Sequence, residues 1–478
     1  MKIIQNFING AYVAAQSGEY LPNYNPATGQ IYAQLPDSDA RDIELAYLAA
    51  NEAFYLWRKT SSEKRFKILN RIAEIIDNKN EELAIAESID QGKPLWLART
   101  EITRSAQNFR FFASAAIQFN SDCNVMDGHA INYTLKTPIG VVGCISPWNL
   151  PLYLLSWKIA PALATGNCVI AKPSEITPMT AYLLGEICNE AGLPKGVLNI
   201  VHGLGHKVGN DLVSHPEIKA ISFTGGTNTG KHIASVAAPQ FKKLSLELGG
   251  KNPNLIFADC DFEKAATETL RSSFLNQGEI CLCGSRILIE RPIYEKFKAF
   301  LLEKLNHYTV GNPLLDETQM GAIVSEQHFE KILNYIEIAK QEGGKILFGG
   351  EALKPKGFEN GWYIAPTVIE NLSQSSRCNQ EEIFGPVVTL TPFDSDEEAL
   401  DLANGTPYGL ASSIWTNNLQ RAHVLASELS CGIVWINCWL LRDLRTPFGG
   451  MKQSGVGREG GLHAMNFFTE QKNVCVKL

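Results

Sequence analysis

The spacing of hydrophobic residues divides the chain into a helical first part and two later stretches in which strands and helices alternate. Residues 5–35 show short strand and turn patterns, and residues 39–119 have hydrophobic positions at helical spacing with few breakers. From residue 140 to residue 250, short β-rich runs are separated by helical stretches. These runs are residues 141–145, 169–171, 198–201, 220–223 and 243–247. Their alternation with helices predicts βαβ units and a parallel sheet.

A second alternating set extends from residue 255 to residue 437 and predicts a second α/β domain. Two further segments belong to neither set. Residues 133–138 follow a polar, poorly periodic segment and are predicted to form a strand outside the main core, and residues 473–478 are predicted to form a final strand. The expected fold class is therefore α/β, with two α/β domains and an additional β segment.

Length and composition limit the kind of protein. A chain of 478 residues is too long for one hydrophobic core, and 45% hydrophobic with 19% charged residues is typical of a globular protein. The net charge of −7 argues against nucleic acid as a partner. The first residues have no apolar signal core, and no apolar stretch is long enough to span a bilayer. We therefore expect no membrane partner and a cytoplasmic location.

The eleven cysteines are scattered without paired spacing, which favours reduced thiols over a disulfide framework. Cys281 and Cys283 are too close together for ordinary zinc-ligand spacing, and no second cysteine pair matches them, so no metal site is expected. Cys281 follows a helical apolar run and a Gln-Gly-Glu turn. We interpret it as a nucleophile presented in a cleft, which would require a lowered thiol pKa. The alternative is a small buried hydrophobic residue.

Three glycine-containing or charged segments at predicted strand ends could hold a dinucleotide. Residues 198–209 place Gly203, Gly205 and Gly209 where a strand gives way to a helix, a position at which helix N-terminal amides bind pyrophosphate. Residues 223–226 repeat this pattern. Residues 172–175 place Lys172 and Glu175 after another strand, where both could bind ribose hydroxyls. The alternatives are glycine-rich turns without a ligand and a solvated turn.

Two other residues suit acyl-transfer chemistry. Asn149 lies between two prolines after a predicted strand, where its amide could stabilise an oxyanion together with the Cys281 amide. Otherwise it is a common turn residue. Glu247 ends a buried β run, where loss of solvent would raise its pKa towards that of a general base. Its alternative role is a salt bridge with Lys251.

These motifs, in this order, resemble the aldehyde dehydrogenase superfamily over nearly the whole chain; Glu382-Ile-Phe384-Gly-Pro and Pro447-Phe-Gly-Gly add to the match. The resemblance implies a Rossmann-like NAD-binding domain in residues 1–119 and 139–249. It also implies a catalytic domain in residues 250–450 and a β oligomerisation arm in residues 120–138 and 458–478. A homo-oligomer, either a tetramer or a dimer, is implied with it.

The same resemblance implies that Cys281, Glu247 and Asn149 are catalytic: the thiolate attacks an aldehyde, hydride passes to NAD, and water releases the acid. Two positions depart from the common pattern, Gly226 where many members have Ser and Glu279 where Gln is common. The implied NAD contacts are Ile145, Ser146, Trp148, Lys172, Ser174, Glu175, Gly205, Gly209, Phe223, Thr224, Gly225, Gly226, Leu248, Glu382 and Phe384.

The contexts of Arg104 and Arg442 resemble the branch that oxidises 2-aminomuconic and 2-hydroxymuconic semialdehydes. This implies that both arginines bind the substrate's remote carboxylate, for which guanidinium geometry is well suited. Arg110 and Arg445 are weaker candidates, and Asp443 is a structural partner for a nearby cation. Another aldehyde, whether aliphatic, retinoid or betaine-type, remains an alternative. So does a catalytically silent structural or binding protein with the same fold.

Overall fold

The computed structural model describes residues 1–478. The helices are α1 (Ala40–Trp57), α2 (Ser62–Asn78), α3 (Asn80–Gln91), α4 (Leu95–Ile117), α5 (Pro151–Ala164), α6 (Met179–Glu190), α7 (Asn210–Ser214), α8 (Thr227–Ala237), α9 (Phe262–Phe274), α10 (Tyr294–Leu305), α11 (Glu326–Gln341), α12 (Arg377–Gln380), α13 (Asp396–Asn404), α14 (Leu419–Glu428) and α15 (Gly461–Phe467).

The strands are β1 (Lys2–Ile3), β2 (Asn6–Ile8), β3 (Ala11–Val13), β4 (Tyr20–Asn25), β5 (Gln30–Pro36), β6 (Cys123–Met126), β7 (Ala130–Pro138), β8 (Val141–Ile145), β9 (Cys168–Lys172), β10 (Leu198–Ile200), β11 (Ala220–Thr224), β12 (Lys243–Glu247), β13 (Asn252–Ile256), β14 (Gly284–Glu290), β15 (Lys345–Phe348), β16 (Ala352–Leu353), β17 (Tyr363–Ile364), β18 (Thr367–Glu370), β19 (Val387–Phe393), β20 (Tyr408–Gly409), β21 (Ala411–Trp415), β22 (Ile433–Ile436), β23 (Met451–Lys452), β24 (Gly455–Val456) and β25 (Thr469–Lys477).

The first large sheet has the order β24-β12-β11-β8-β9-β10-β2-β3. Its five central strands, β12 to β10, are parallel, whereas β24 and β2 pair with them in antiparallel fashion. Helix α5 crosses between β8 and β9 and is buried along its whole length, because nearly every position in it is apolar. The carboxyl ends of the central strands therefore lie at one edge, which is where ligands bind in such sheets.

The second large sheet has the order β15-β18-β19-β14-β13-β21-β22 and is parallel except at its β15 edge. Helix α9 connects its neighbouring strands β13 and β14, and its end leads into the segment that carries Cys281. The predicted α/β fold class therefore agrees with the sheets and helices seen here. The exact domain boundaries given above stay a prediction.

Strands β6, β7 and β25 form a separate three-stranded antiparallel sheet, which we call the arm. Its strand β25 pairs with β7 from Thr469 to Lys477, four residues earlier than the final strand was predicted to begin. The polar residues 470–473 hid this start, because both sides of the arm face outward and no buried alternation marks it. No helix of the chain combines the length and the apolar character needed to cross a membrane.

Candidate active site

A left-handed turn presents the thiol of Cys281. Helix α9 ends at Phe274, and then Asn276, Gln277 and Gly278 all have positive φ, at 52°, 57° and 73°. A Cβ at Gly278 would lie 2.2 Å from the carbonyl oxygen of Gly385, so only glycine fits there without a shift. The turn was expected from the sequence, and this crowding explains why it contains glycine.

Cys281 lines two neighbouring cavities at once. The first is here called the arginine cavity. Most of its lining is hydrophobic, which suits an unsaturated carbon chain. Its lining residues are Leu97, Glu101, Arg104, Leu150, Tyr153, Leu154, Thr224, Glu247, Leu248, Leu275, Ile280, Cys281, Leu282, Leu440, Arg442, Phe448 and Glu459.

Both arginines singled out in the sequence lie in the wall of the arginine cavity. Arg104, on α4, is half-buried and is paired with no carboxylate. Arg442 donates a hydrogen bond of 2.5 Å to the Tyr153 hydroxyl, and its guanidinium lies 4.2 Å from the centre of the Phe448 ring. The weaker candidates lie elsewhere. Arg110 pairs with Asp77, and the exposed Arg445 pairs with Asp443.

Two of the three carboxyl groups in the same wall, those of Glu101 and Glu459, have partners within the chain. Glu101 accepts a hydrogen bond from the buried ammonium of Lys93, and burial raises the pKa of Glu101 to about 8. Glu459 accepts one of 2.6 Å from Lys158, a buried lysine on α5. The two arginines are therefore the cavity's cations that remain available to a ligand.

Glu247 is a buried carboxyl without a hydrogen-bond partner at either oxygen. Burial raises its pKa well above the usual value, and the nearby carboxylate of Glu459 raises it further. This agrees with the expected direction. The alternative salt bridge to Lys251 is wrong, because the ammonium of Lys251 also has no partner. The two side chains point into different parts of the protein: Glu247 lines the arginine cavity, whereas Lys251 does not.

The expected lowering of the Cys281 pKa is not found. Burial raises the pKa of this thiol, and the carboxyl groups of Glu382 and Glu247 raise it further, since a thiolate beside them would be repelled. Arg442 acts in the opposite direction but contributes less. The resting thiol is therefore neutral at ordinary pH, and a base must take its proton before it can attack.

Asn149 lies beside Cys281 in the second cavity, the central cavity. Its side-chain Nδ2 donates to the main-chain oxygen of Glu279 at 2.9 Å, which leaves its second N–H free. Its own main-chain oxygen accepts hydrogen bonds from Asn276 Nδ2 at 3.1 Å and from Lys93 Nζ at 2.9 Å. Asn149 is thus held at both its main chain and its side chain.

The central cavity lies on the other side of the thiol. Phe384, which has a φ of 62°, stacks edge-on against Trp148 at 5.2 Å between ring centres. The Glu382 carboxylate accepts a hydrogen bond of 2.9 Å from the Gly250 amide. The residues lining this cavity are Pro147, Trp148, Asn149, Thr224, Gly225, Gly226, Leu248, Gly249, Cys281, His328, Lys331, Glu382 and Phe384.

A third cavity, the glycine cavity, continues along the carboxyl edge of the first sheet. Lys172 and Glu175 form an ion pair of 2.6 Å in its wall, and the Gly205 amide donates to Glu175 at 3.4 Å. It is lined by Ile145, Ser146, Pro147, Trp148, Lys172, Ser174, Glu175, Gly205, Gly209, Asn210, Val213, Phe223, Thr224, Gly225, Gly226, Thr229, His232 and Ile233. The fifteen residues that the resemblance marked for NAD therefore all line the glycine or the central cavity.

Glu279, the departure from the common Gln, is fully buried. Its carboxyl group accepts hydrogen bonds from Gln91 Nε2 at 2.7 Å and from the Val324 amide at 3.2 Å. Both of its oxygens therefore accept from N–H groups, whereas an amide at this position could accept at only one. Burial raises the pKa of this carboxyl group well above its usual value.

Sequence reasoning missed several residues of the site: Lys93, Glu101, Lys158, His328, Lys331 and Glu459. One signal was available for Lys158, which is a charged residue in the otherwise apolar run of α5. The others stand in ordinary mixed sequence. Glu459, for example, joins the site only because its segment returns to the first sheet, where its carboxylate also accepts a hydrogen bond from Ser222 at 3.1 Å.

Comparison with known proteins gives full-length matches. The mouse protein named 2-aminomuconic semialdehyde dehydrogenase is 49% identical over 480 residues, covering 99% of this chain and 98% of that protein. A protein of Pseudomonas sp. strain CF600 named 2-hydroxymuconic semialdehyde dehydrogenase is 46% identical over 486 residues, covering 100% of both chains.

Solved structures agree closely with this fold. Betaine aldehyde dehydrogenase from Staphylococcus aureus, solved in complex with NAD+, has a TM-score of 0.96 at 38% identity and covers 98% of this chain and 94% of its own. A putative aldehyde dehydrogenase from Burkholderia cenocepacia has a TM-score of 0.97 at 40% identity, and the match covers 99% of this chain and 97% of that one. The profile described as the aldehyde dehydrogenase family matches residues 12–474. This chain therefore belongs to the aldehyde dehydrogenase family, as its motifs predicted.

Proposed function

We propose that this NAD-dependent aldehyde dehydrogenase oxidises a semialdehyde that carries a carboxylate, either 2-aminomuconic or 2-hydroxymuconic 6-semialdehyde, to the dicarboxylic acid. One observation carries the proposal: Arg104 and Arg442 share one apolar cavity with the thiol of Cys281 and have no carboxylate partner within the chain. A linear substrate with an aldehyde at one end and a carboxylate at the other matches this arrangement. The names of the relatives support it.

Cys281 is the proposed nucleophile. Its neutral thiol first loses a proton to a base, and Glu247 is suited to accept it because its pKa is raised and it lines the same cavity. The sulfur then forms a bond to the aldehyde carbon. The free N–H of Asn149 donates to the oxyanion that results. Loss of hydride from that carbon leaves a thioester on Cys281.

Glu247 is the proposed base for hydrolysis as well. After it passes the proton from Cys281 to solvent, the ionised Glu247 removes a proton from water, the hydroxide adds to the thioester, and the carbon–sulfur bond breaks to release the acid and the thiolate. Both oxygens of Glu247 are free of other hydrogen bonds, so they are available to a water molecule. Glu247, in the wall of the arginine cavity, is thus the proposed base in both steps.

NAD accepts the hydride when it is bound. The residues fit such a group, since the hydroxyls of Ser146 and Thr224 are buried beside the glycine cavity and have no partner within the protein. Gly209 and Gly226 leave open space where a side chain would project. Phe384, Trp148 and Glu382 surround the part of the central cavity next to Cys281, where we place the nicotinamide and its ribose.

Glu175 is the residue proposed to select NAD over its phosphorylated form. Its carboxylate lies in the wall of the glycine cavity and accepts from Lys172. A negative charge at the adenosine ribose repels a 2′-phosphate. The ion pair leaves Lys172 with less positive charge to offer such a phosphate, which acts in the same direction.

We also propose a homo-oligomer that forms through the arm. In its register, Val125, Ile131 and Val476 face one side together with Tyr133 and Val474, whereas Asn124, Asn132 and Asn473 face the other. Val125 and Val476 are 63% and 47% exposed in a single chain. One apolar face on an exposed sheet is typical of a protein–protein contact.

A cytoplasmic location is part of the proposal. It is supported by the eleven cysteines, all of which are free thiols here, and by Cys281, which must stay reduced to act. Oxidising conditions would remove the nucleophile.

The test is NADH formation by the wild type, Arg104→Ala and Arg442→Ala with 2-hydroxymuconic semialdehyde and with an uncharged aldehyde of similar length. Each variant should lose about thirtyfold in kcat/KM on the carboxylate-bearing substrate only. That corresponds to ~2 kcal/mol for removing a charged hydrogen-bond partner. Arg445→Ala serves as the matched control, because Arg445 is exposed and paired with Asp443 outside the cavity.

Equal losses on both aldehydes would contradict the proposed binding of a carboxylate and leave general aldehyde oxidation in place. Arg442 also packs against aromatic rings, so Arg442→Met is included as a second variant. It keeps apolar contact with those rings while removing the charge. The same selective loss in Arg442→Met would show that the charge is what the substrate needs.

A further inference from the structure

Lys93 is a buried lysine that reaches the main chain of Asn149. It lies in the short loop between α3 and α4, its side chain is fully shielded from solvent, and its Nζ donates to the Asn149 carbonyl at 2.9 Å. Asn276 donates to the same carbonyl at 3.1 Å. The position of the Asn149 peptide is therefore set by two side chains from distant parts of the sequence.

Two buried carboxyl groups hold Lys93 in place. Its Nζ donates to Glu101 on α4 and lies 3.6 Å from Glu87 Oε1 on α3. The other oxygen of Glu87 accepts hydrogen bonds from the Leu152 amide at 3.2 Å and from Thr180 Oγ1 at 3.4 Å. Leu152 belongs to the first turn of α5, which begins two residues after Asn149. The three ionisable groups thus join α3, α4 and the start of α5.

Burying three ionisable groups is costly, and well-packed hydrophobic residues in their place are often as stabilising. Stability alone therefore does not account for the cluster. The cluster does, however, hold the main-chain carbonyl of Asn149 in a defined place. The last residue of α3 contacts the other side of the site, since Gln91 donates to the Glu279 carboxyl at 2.7 Å. Gly92, which lies between Gln91 and Lys93, has a φ of 91°, and a Cβ there would lie 2.6 Å from the main-chain oxygen of Ala322. The main chain that carries Lys93 is therefore closely packed at this point.

We propose that Lys93, held between Glu87 and Glu101, is a positioning residue that fixes the Asn149 peptide and so aims the Asn149 carboxamide at the oxyanion formed on Cys281. The inference rests on the aldehyde oxidation proposed above. An oxyanion donor is effective only when it is already at hydrogen-bond distance from the place where the negative charge develops. A shift of the peptide by a fraction of an ångström would lengthen that hydrogen bond without altering the thiol.

The test is a double-mutant cycle on kcat/KM with Lys93→Met and Asn149→Ala. If Lys93 acts through Asn149, Lys93→Met should lower kcat/KM by about tenfold or more in the wild type and by less than about threefold in the Asn149→Ala background. The rate of Cys281 alkylation by iodoacetamide should change little in Lys93→Met. A merely structural role would lower activity by the same factor in both backgrounds.

Lys242→Met is the matched control. Lys242 is also buried and donates to two main-chain carbonyls, those of Val213 and His215. None of these residues lines the two cavities that contain Cys281. Whatever its effect, it should be the same in the wild-type and the Asn149→Ala backgrounds. If Lys93→Met does not fold, the cycle is run with Lys93→Gln, which removes the charge but keeps a polar group between the glutamates.

Two results would overturn the inference, and they differ in what else they affect. Equal losses from the Lys93 change in both backgrounds would overturn it alone and leave the proposed chemistry intact. An Asn149→Ala variant as active as the wild type would overturn the oxyanion assignment, and the positioning role with it.

Discussion

At the scale of the residue, Glu247 combines a proposed catalytic role with a cost to stability that depends on pH. Because its folded pKa is raised above the unfolded value, the native state binds an extra proton, and stability falls as pH rises through that raised pKa. The Glu247→Gln variant should not show this pH-dependent loss of stability, because an amide does not titrate. The variant's free energy of unfolding should therefore gain on that of the wild type as pH increases from about 5, by ~1.4 kcal/mol for each pH unit up to the raised pKa, and its melting temperature should rise relative to the wild type accordingly.

The measurement is thermal unfolding of both proteins at pH 5, 7 and 9 and at one scan rate. Glu52→Gln, on the exposed face of α1, is the control and should differ from the wild type by a constant amount. A constant difference for Glu247→Gln as well would show that the Glu247 carboxyl has no raised pKa. Hydrolysis of the thioester should also fail in this variant, since an amide cannot take a proton from water.

At the scale of the element, the turn before Cys281 depends on Gly278. Gly278→Ala should destabilise the protein by several kcal/mol and abolish activity, because a left-handed φ and a backbone clash act together. Gly192→Ala is the matched control: its φ of 76° is similar, but a Cβ there would meet no atom within 4 Å. It should cost only about 1 kcal/mol. Urea unfolding of both variants measures the two losses in free energy of unfolding. Equal losses would contradict the prediction, because they would mean that the chain relieves the clash with Gly385 at little cost.

At the scale of the whole molecule, the apolar face of the arm should control assembly. Val125→Asp with Val476→Asp places two charges on that face and should shift the protein to a smaller species in light scattering. Asn124→Asp with Asn473→Asp places the same charges on the opposite face and should leave the mass unchanged. A wild type that is monomeric, or a Val125/Val476 variant with the wild-type mass, would contradict the arm's role.

Much of the fold and the identity of the key residues could be predicted from the sequence. The five central strands of the first sheet were found from short apolar runs, because buried parallel strands are hydrophobic on both faces. The second sheet was predicted only as an alternating set within residues 255–437. Glu247 and Asn149 were found because each follows or ends a predicted strand, and Cys281 because it follows a helical apolar run and a Gln-Gly-Glu turn. Their catalytic roles stay predictions. The start of β25 was missed, since a strand exposed on both sides carries no periodic signal.

The sequence by itself determined the family, the alternation of strands and helices, and which thiol, carboxyl, amide and guanidinium groups are available. Only the tertiary structure decided which of them meet. It paired Glu101 with Lys93 and Glu459 with Lys158, left Arg104 and Arg442 without carboxylates, and raised rather than lowered the pKa of the Cys281 thiol. The reason is that hydrophobic periodicity is a local property, whereas charge pairing and loss of solvent depend on residues brought together from distant parts of the chain.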